Sequence, residues 1–179
     1  MDFNLIHSTG GVAQYLQTNT TIQTFDCGVD HLNRFIQEDA PDFYKHGICK
    51  PVLLCDTAGE LMAYAALAAS ATQLSNFEVG ELGANIHIPT NFIPSIRLTH
   101  FAVGKQSHGQ GLGSRFLSII KDLLLEQWNE LCAFRLLVVD ARHEVRQFYE
   151  QNGFFECSAT KAQKKKHTIE MYYDLLGAD

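Results

Sequence analysis

Basic residues are scarce in this chain, and so are prolines and paired cysteines. Lys and Arg number 14 against 20 Asp and Glu, for a net charge of −6 and a pI near 5.7. That balance argues against a broad nucleic-acid-binding surface, which needs a basic domain or face. No apolar run approaches the ~20 residues of a membrane-spanning helix. The opening MDFNLIHSTGG lacks a basic segment followed by an apolar one, so a secretory signal is not expected. The five cysteines, Cys27, Cys49, Cys55, Cys132 and Cys157, are odd in number and none is spaced C-x-x-C. Neither a zinc site nor a disulfide framework is expected, and a reducing, cytoplasmic setting is. Against these absences stand 46% hydrophobic and 19% charged residues over 179 positions, enough for one domain, residues 1–179, with a substantial core.

Glycine is concentrated where it matters. Gly104, Gly109, Gly111 and Gly113 fall within ten residues of FAVGKQSHGQGLGSRFL. A strand-like run, Ile96 to Val103, precedes them. A run with helical spacing follows, in which Leu112, Phe116, Ile119 or Ile120, and Leu123 share a face. Strand, glycine loop and helix together offer free backbone N–H groups and a helix dipole to a phosphate. Glycine allows close approach and positive φ. The Walker pattern is excluded because no lysine stands between Gly113 and Ser114. The dinucleotide pattern is excluded because its third glycine comes at Gly113, one residue early, and the loop lies past mid-chain.

The remaining chain reads as alternating elements. Phe3 to Ile6 suits a first strand, broken at Gly10-Gly11. A helix is expected from about Val29 on Val29, Leu32, Phe35 or Ile36, and Phe43, bent or ended by Pro41. Pro51 to Cys55 and Leu61 to Ala71 form a hairpin across Asp56-Thr-Ala-Gly59. Thr72 to Pro94 is irregular, with room for one helical turn. Phe134 to Asp140 is a strand buried on both faces. Ala141 to Gln151 is a short helix with Val145 and Phe148 inward, ended by Gly153. Phe154-Phe155 and Thr168 to Leu175 are strands. Between them, Lys161-Ala-Gln-Lys-Lys-Lys-His167 reads as a solvated loop or as a contact for an anionic partner. The order β, α, β, β, β, α, β, α, β, β predicts an α/β fold with a mixed sheet of six to seven strands and helices on both faces.

Three segments then resemble the GNAT superfamily of acetyl-CoA-dependent N-acetyltransferases. His108-Gly-Gln-Gly-Leu-Gly113 is similar to the family's acyl-CoA loop, with His108 where Arg or Gln is usual. Val139-Asp140-Ala141, followed by Phe148-Tyr149-x-x-Asn-Gly-Phe154, is similar to its "FY-x-x-x-GF" segment. Met171-Tyr-Tyr-Asp-Leu175 resembles the closing strand of one bacterial branch. The same branch carries a signature like Phe25-Asp-Cys-Gly28 with Leu32, Asn33 and Phe35. It includes toxins that acetylate aminoacyl-tRNA as well as bacterial members of unassigned substrate. The resemblance covers about residues 25–175.

The resemblance implies a GNAT-like fold and acetyl-CoA as co-substrate, with no metal. It places the CoA pyrophosphate on the N–H groups of Gly109, Gln110, Gly111, Leu112, Gly113 and Ser114, with His108 over a phosphate. Pantetheine would pair with Phe101, Ala102 and Val103. Tyr149 would be the acid that protonates the leaving thiolate. Asp140 would bond the loop or the cofactor backbone. On its residue type, His100 on the central strand is a candidate base, with Arg97 and Glu81 as unranked others. Direct attack with proton loss to water needs no base. The acceptor is an amine of a small molecule, a protein or charged tRNA. A homodimer, an antitoxin partner for the toxin reading, and a non-catalytic CoA-binding module are the other expectations to weigh.

Overall fold

A computed structural model describes residues 3–83, 88, 90–158 and 167–177. Seven strands form one sheet in the order β1-β2-β3-β4-β5-β7-β6. They are β1 (Asn4–Ile6), β2 (Lys50–Cys55), β3 (Leu61–Gln73), β4 (Phe92–Val103), β5 (Leu136–Arg142), β6 (Phe155–Glu156) and β7 (Thr168–Asp174). The helices are α1 (Thr9–Thr18), α2 (Asp30–Arg34), α3 (Ala40–Lys45), α4 (Asn76–Glu81), α5 (Leu112–Leu123) and α6 (Arg146–Gln151). The mixed α/β architecture expected from the element order is the one found. The chain divides into two compact units, Met1–Ala68 with Thr99–Ile120, and Ala69–Leu98 with Lys121–Asp179.

In the first unit β1 pairs antiparallel with β2, Asn4 opposite Cys55, and β2 with β3, Leu53 opposite Tyr64. The hairpin turn at Asp56–Gly59 closes as its residues suggest. Asp56 Oδ1 accepts from the N–H groups of Ala58 and Glu60, both at 2.9 Å, and Gly59 takes φ +86°. Tyr64 centres the core of this unit. Phe25 meets its ring edge-on at 5.5 Å, Phe35 stacks at 6.0 Å, and its hydroxyl donates to Leu32 O at 2.6 Å. Cys27, Cys49 and Cys55 are buried here as free thiols, which suits small apolar side chains.

Helix α1 forms where Gly10-Gly11 reads as a break. Both glycines lie in the first turn, where the helix does not yet depend on propensity. Ser8 caps it by accepting from Gly11 N–H at 3.2 Å, and Val12 and Tyr15 are buried. Pro41 does not end the helix either. A π-turn, Phe35–Asp39, precedes it, and Ala40 N–H reaches back to Phe35 O, so the missing proline donor falls at the start of a new segment.

In the second unit β4 runs parallel to β5, Ser95 opposite Leu136, and β5 antiparallel to β7, Leu136 opposite Asp174. Arg135 grips Asp174 through two bonds, 2.9 and 2.8 Å, and donates to Leu82 O. Helix α4 is the single turn allowed for between Thr72 and Pro94. A capping box starts it: Glu78 N–H bonds Ser75 Oγ, and Glu78 Oε2 takes Ser75 N–H at 2.8 Å. The other oxygen, Oε1, accepts from Ser158 N–H at 2.7 Å. The lysine run Lys161–Lys166 lies outside the described residues.

The expected helix Ala141 to Gln151 begins late. Strand β5 continues through Arg142, a 3-10 turn covers His143–Val145, and α6 starts only at Arg146. The delay rotates the helix. Val145, expected inward, is 44% exposed, Phe148 is half-buried, and Tyr149 turns in at 5% exposed.

Burial alone would raise the Glu78 carboxyl, but hydrogen bonds from Ser158 and Ser75 outweigh it and hold the pKa below its usual value. A depressed carboxylate stabilises the fold above its unfolded pKa and loses that contribution as pH falls through the folded one. Glu78→Gln should therefore cost about 1–2 kcal/mol at pH 7. In urea titrations across pH, the gap should close below the usual glutamate range. A gap that stays constant to pH 3 would contradict this.

Candidate active site

The end of β4 is built to launch a loop. Gly104 N–H bonds Met62 O at 2.8 Å, and Lys105 N–H bonds Asp26 O at 2.9 Å. A Cβ on Gly104 would stand 3.3 Å from Met62 O and 3.6 Å from the Phe25 ring, so a side chain there is crowded. A 3-10 turn, Lys105–Ser107, follows. Then Gly109 and Gly111 adopt φ +72° and +74°, which disfavour any side chain. A Cβ at either would meet nothing within 4 Å. Positive φ, rather than crowding by the protein, is what demands glycine here, and the space above both is open. Helix α5 starts at Leu112, with Phe116, Leu117 and Ile120 fully buried behind it. Its first-turn N–H groups face outward from the helix start by geometry. Among the described residues the loop's own backbone bonds come from Ser107, His108 and Arg115, flanking Gly109 to Ser114.

The N-terminal signature has a physical task that spacing did not reveal. Asp26 Oδ2 pairs with Lys105 Nζ at 2.7 Å, while its Oδ1 accepts from Gly28 N–H at 2.7 Å and from Asn33 Nδ2 at 3.0 Å. Asn33 Oδ1 in turn accepts from Cys27 N–H at 2.8 Å. Lys105 first, then the Gly28 and Asn33 bonds, bring the Asp26 carboxyl down to about 2. Asp26, Asn33 and Lys105 thus fix where the loop begins. Only the pairing of an acidic residue before Gly28 with a lysine after Gly104 could have hinted at this.

The expected cofactor contacts divide. Phe101 stacks on Phe116 at 5.6 Å and Ala102 is buried, so this stretch of β4 is rigid up to Val103. His108 Nε2 lies 2.8 Å from Val103 O. The ring is bonded to the strand end because a helical turn of only three residues folds it back there. Gln110 Nε2 donates to Gln106 O at 2.8 Å.

His100 lies flat on Phe35, centroids 3.6 Å apart and planes 9° from parallel, with Nδ1 3.2 Å from Thr99 Oγ1. Burial, helped by His31 and opposed by Asp39, pushes its pKa down to about 4. It is neutral at pH 7 and a poor proton acceptor, because a proton gained there is readily lost.

In the second unit Tyr149 is packed edge-on between Phe148, at 5.1 Å, and Phe154, at 5.3 Å. Its carbonyl receives the N–H groups of Asn152 and Phe154, both at 3.0 Å. Burial raises the phenol pKa, so it holds its proton at neutral pH. Asp140 Oδ2 pairs with Arg97 Nη1 at 2.9 Å, and Arg97 Nη2 meets Glu170 Oε1 at 2.5 Å. Register explains this, since Asp140 stands opposite Glu170 on β7 and Arg97 lies opposite Val138 on β5. Arg97, charged and doubly paired, is excluded as a base. Glu81 is exposed at the last residue of α4. Among the described residues no group of His, Cys, Asp or Glu could hold a metal ion, and no helix is long and apolar enough to cross a membrane.

Comparison with known proteins extends these observations. The family model described as an acetyltransferase (GNAT) domain matches residues 50–175. Among solved structures, AtaT complexed with acetyl-methionyl-tRNAfMet shares the fold at TM-score 0.75 and 19% identity, over 97% of this chain and 95% of that one. AtaTR bound with acetyl-CoA matches at TM-score 0.74 and 19% identity, over 98% and 95%. A tyrosine-to-phenylalanine mutant of KacT matches at 0.76 and 20%, over 98% and 96%. With the glycine loop, the FYEQNGF segment and a family match across most of its length, the chain belongs to the GNAT family of acetyl-CoA-dependent N-acetyltransferases.

Proposed function

We propose that residues 1–179 work as a single GNAT domain that transfers the acetyl group of acetyl-CoA to a primary amine by direct attack in a ternary complex. One observation carries the cofactor part: Gly109 and Gly111 hold positive φ beneath open space at the start of α5. The N–H groups of Gly109 to Ser114 receive the pyrophosphate, with the positive end of α5 behind them. Backbone groups of Phe101 to Val103 pair with pantetheine. His108 supports the strand end through Val103 and covers a phosphate when the cofactor binds.

The acceptor nitrogen forms a bond to the thioester carbonyl carbon as the carbon–sulfur bond breaks. Tyr149 donates its proton to the departing thiolate. The nitrogen loses its own proton to water, since the neutral, stacked His100 is a poor base. Asp140, paired with Arg97, ties β4 to β5 and takes no part in proton transfer.

The similarity to AtaT, solved with acetyl-methionyl-tRNAfMet and with part of the antitoxin AtaR, supports a second reading, in which the acceptor is the amine of aminoacyl-tRNA and a small antitoxin is the partner; a cytoplasmic setting suits both readings. The net charge of −6 weighs against it, because tRNA affinity comes largely from phosphate neutralisation. Incubation with methionyl-tRNA and acetyl-CoA separates the two. Acetyl-methionyl-tRNA as a product supports the tRNA reading. Its absence alongside acetylation of small amines supports the first.

Two variants test the assignments. Gly111→Ala places a side chain at positive φ and should weaken acetyl-CoA binding about tenfold by calorimetry, for ~1–2 kcal/mol of strain. Unchanged affinity would remove the loop from the cofactor site. Tyr149→Phe should keep acetyl-CoA affinity within about twofold and lower turnover by roughly 10²–10⁴-fold. Full turnover in that variant would remove Tyr149 from the chemistry.

A further inference from the structure

Lys121 stands near the end of α5, where a solvated lysine would be ordinary. Its side chain instead turns inward. Nζ donates to Asn152 O at 2.7 Å and lies 3.5 Å from the centre of the Tyr173 ring and 5.3 Å from that of Phe154. Asn152 and Phe154 are joined directly to Tyr149, and Tyr173 reaches it through Phe154. Asn152 N–H and Phe154 N–H both donate to Tyr149 O, and Asn152 Nδ2 donates to Phe148 O at 2.7 Å. The Phe154 ring is fully buried, edge-on to Tyr149 and 5.6 Å from Tyr173. Between them Gly153 takes φ +81°, and a Cβ there would press on the Tyr173 ring at 3.1 Å. The turn Asn152-Gly153-Phe154 is therefore held from one side by the lysine and holds Tyr149 from the other.

We infer that Lys121 is a positioning residue for Tyr149, its ammonium clamping the Asn152–Phe154 turn against Tyr173 so that the phenol keeps one fixed seat. The inference rests on the reading of Tyr149 as the acid. Its physical basis is that an ammonium over an aromatic face, when desolvated, adds a directional attraction that a neutral amine lacks. A second feature makes the clamp testable. Burial, partly opposed by Asp122, brings the Lys121 pKa down to about 8. The titratable groups facing it are Asp122 on its own helix and Tyr173 on β7. Burial first, then Asp122 and Asp174, raise the Tyr173 phenol, so it stays neutral through this range. The clamp is charged below pH 8 and loses its cation above.

The experiment uses the full chain with ring-¹³C tyrosine, the Tyr149 signal being the one lost in Tyr149→Phe. In the wild type, that signal should shift in a single step with a midpoint near pH 8. In Lys121→Met it should be displaced at all pH values with no step. In Lys121→Arg, whose charge does not titrate here, it should stay near the wild-type low-pH position with no step. With whatever amine the wild type acetylates, Lys121→Met should lower kcat at least tenfold, leave KM for acetyl-CoA within twofold, and be rescued by Lys121→Arg. A wild-type signal flat through pH 8, or a Lys121→Met signal coincident with the wild type, overturns the inference. If Lys121→Met does not fold, the wild-type and Lys121→Arg pH series decide it alone. Full activity of Tyr149→Phe would instead defeat the acid role, and the Tyr149 signal would still report whether Lys121 seats the ring.

Discussion

Where β4 ends, Asp26 meets Lys105 twice, carbonyl to N–H and carboxylate to ammonium. The ion pair is half-exposed, so its worth lies in geometry more than in energy. The same carboxylate holds Gly28 and Asn33, and Asn33 holds Cys27. The segment before α2 is thereby tied to the first residues of the glycine loop. Gly104 lies between Met62 O and the Phe25 ring with little room. A loop whose start is fixed in this way, and whose Gly109 and Gly111 hold positive φ, presents its N–H groups without first having to be ordered. A preorganised anion site loses less entropy on binding than a flexible one.

The chemistry the residues offer is unbalanced in a useful way. Burial keeps the Tyr149 phenol protonated, which suits an acid, and the same kind of burial keeps His100 neutral and weakly basic. Arg97 is occupied by Asp140 and Glu170. On the proposed mechanism, proton donation falls to Tyr149 and proton removal is left to solvent. An enzyme of this kind acts on amines that arrive with a free lone pair, and its rate should rise with pH until the acid side of the site fails.

Much of this was legible in the chain. The glycine loop, the strands on either side of it and the hairpin at Asp56–Gly59 follow from local rules, since glycine spacing, apolar runs and turn residues act over a few positions. The failures came where a local signal was overruled. Gly10-Gly11 reads as a break, yet a Ser8 cap lets both sit in the first turn of α1. Pro41 reads as a bend or a stop, and a π-turn before it lets the helical path go on. The inward face of α6 differs from the one its spacing suggests because three residues of 3-10 turn delay the helix, which moves Tyr149 in and Val145 out. Pairings between distant segments, such as Arg97 with Asp140 and Glu170 across the sheet or Asp26 with Lys105 between two loops, depend on tertiary placement that spacing along the chain does not encode.

The central claim is that the amides from Gly109 to Ser114 hold the pyrophosphate of acetyl-CoA. It is tested most directly by following the backbone amide resonances of the ¹⁵N-labelled chain as acetyl-CoA is added. The account predicts large shifts for Gly109, Gly111 and their neighbours through Ser114, reproduced by CoA without its acetyl group. Loop amides that stay in place while acetyl-CoA binds would contradict it.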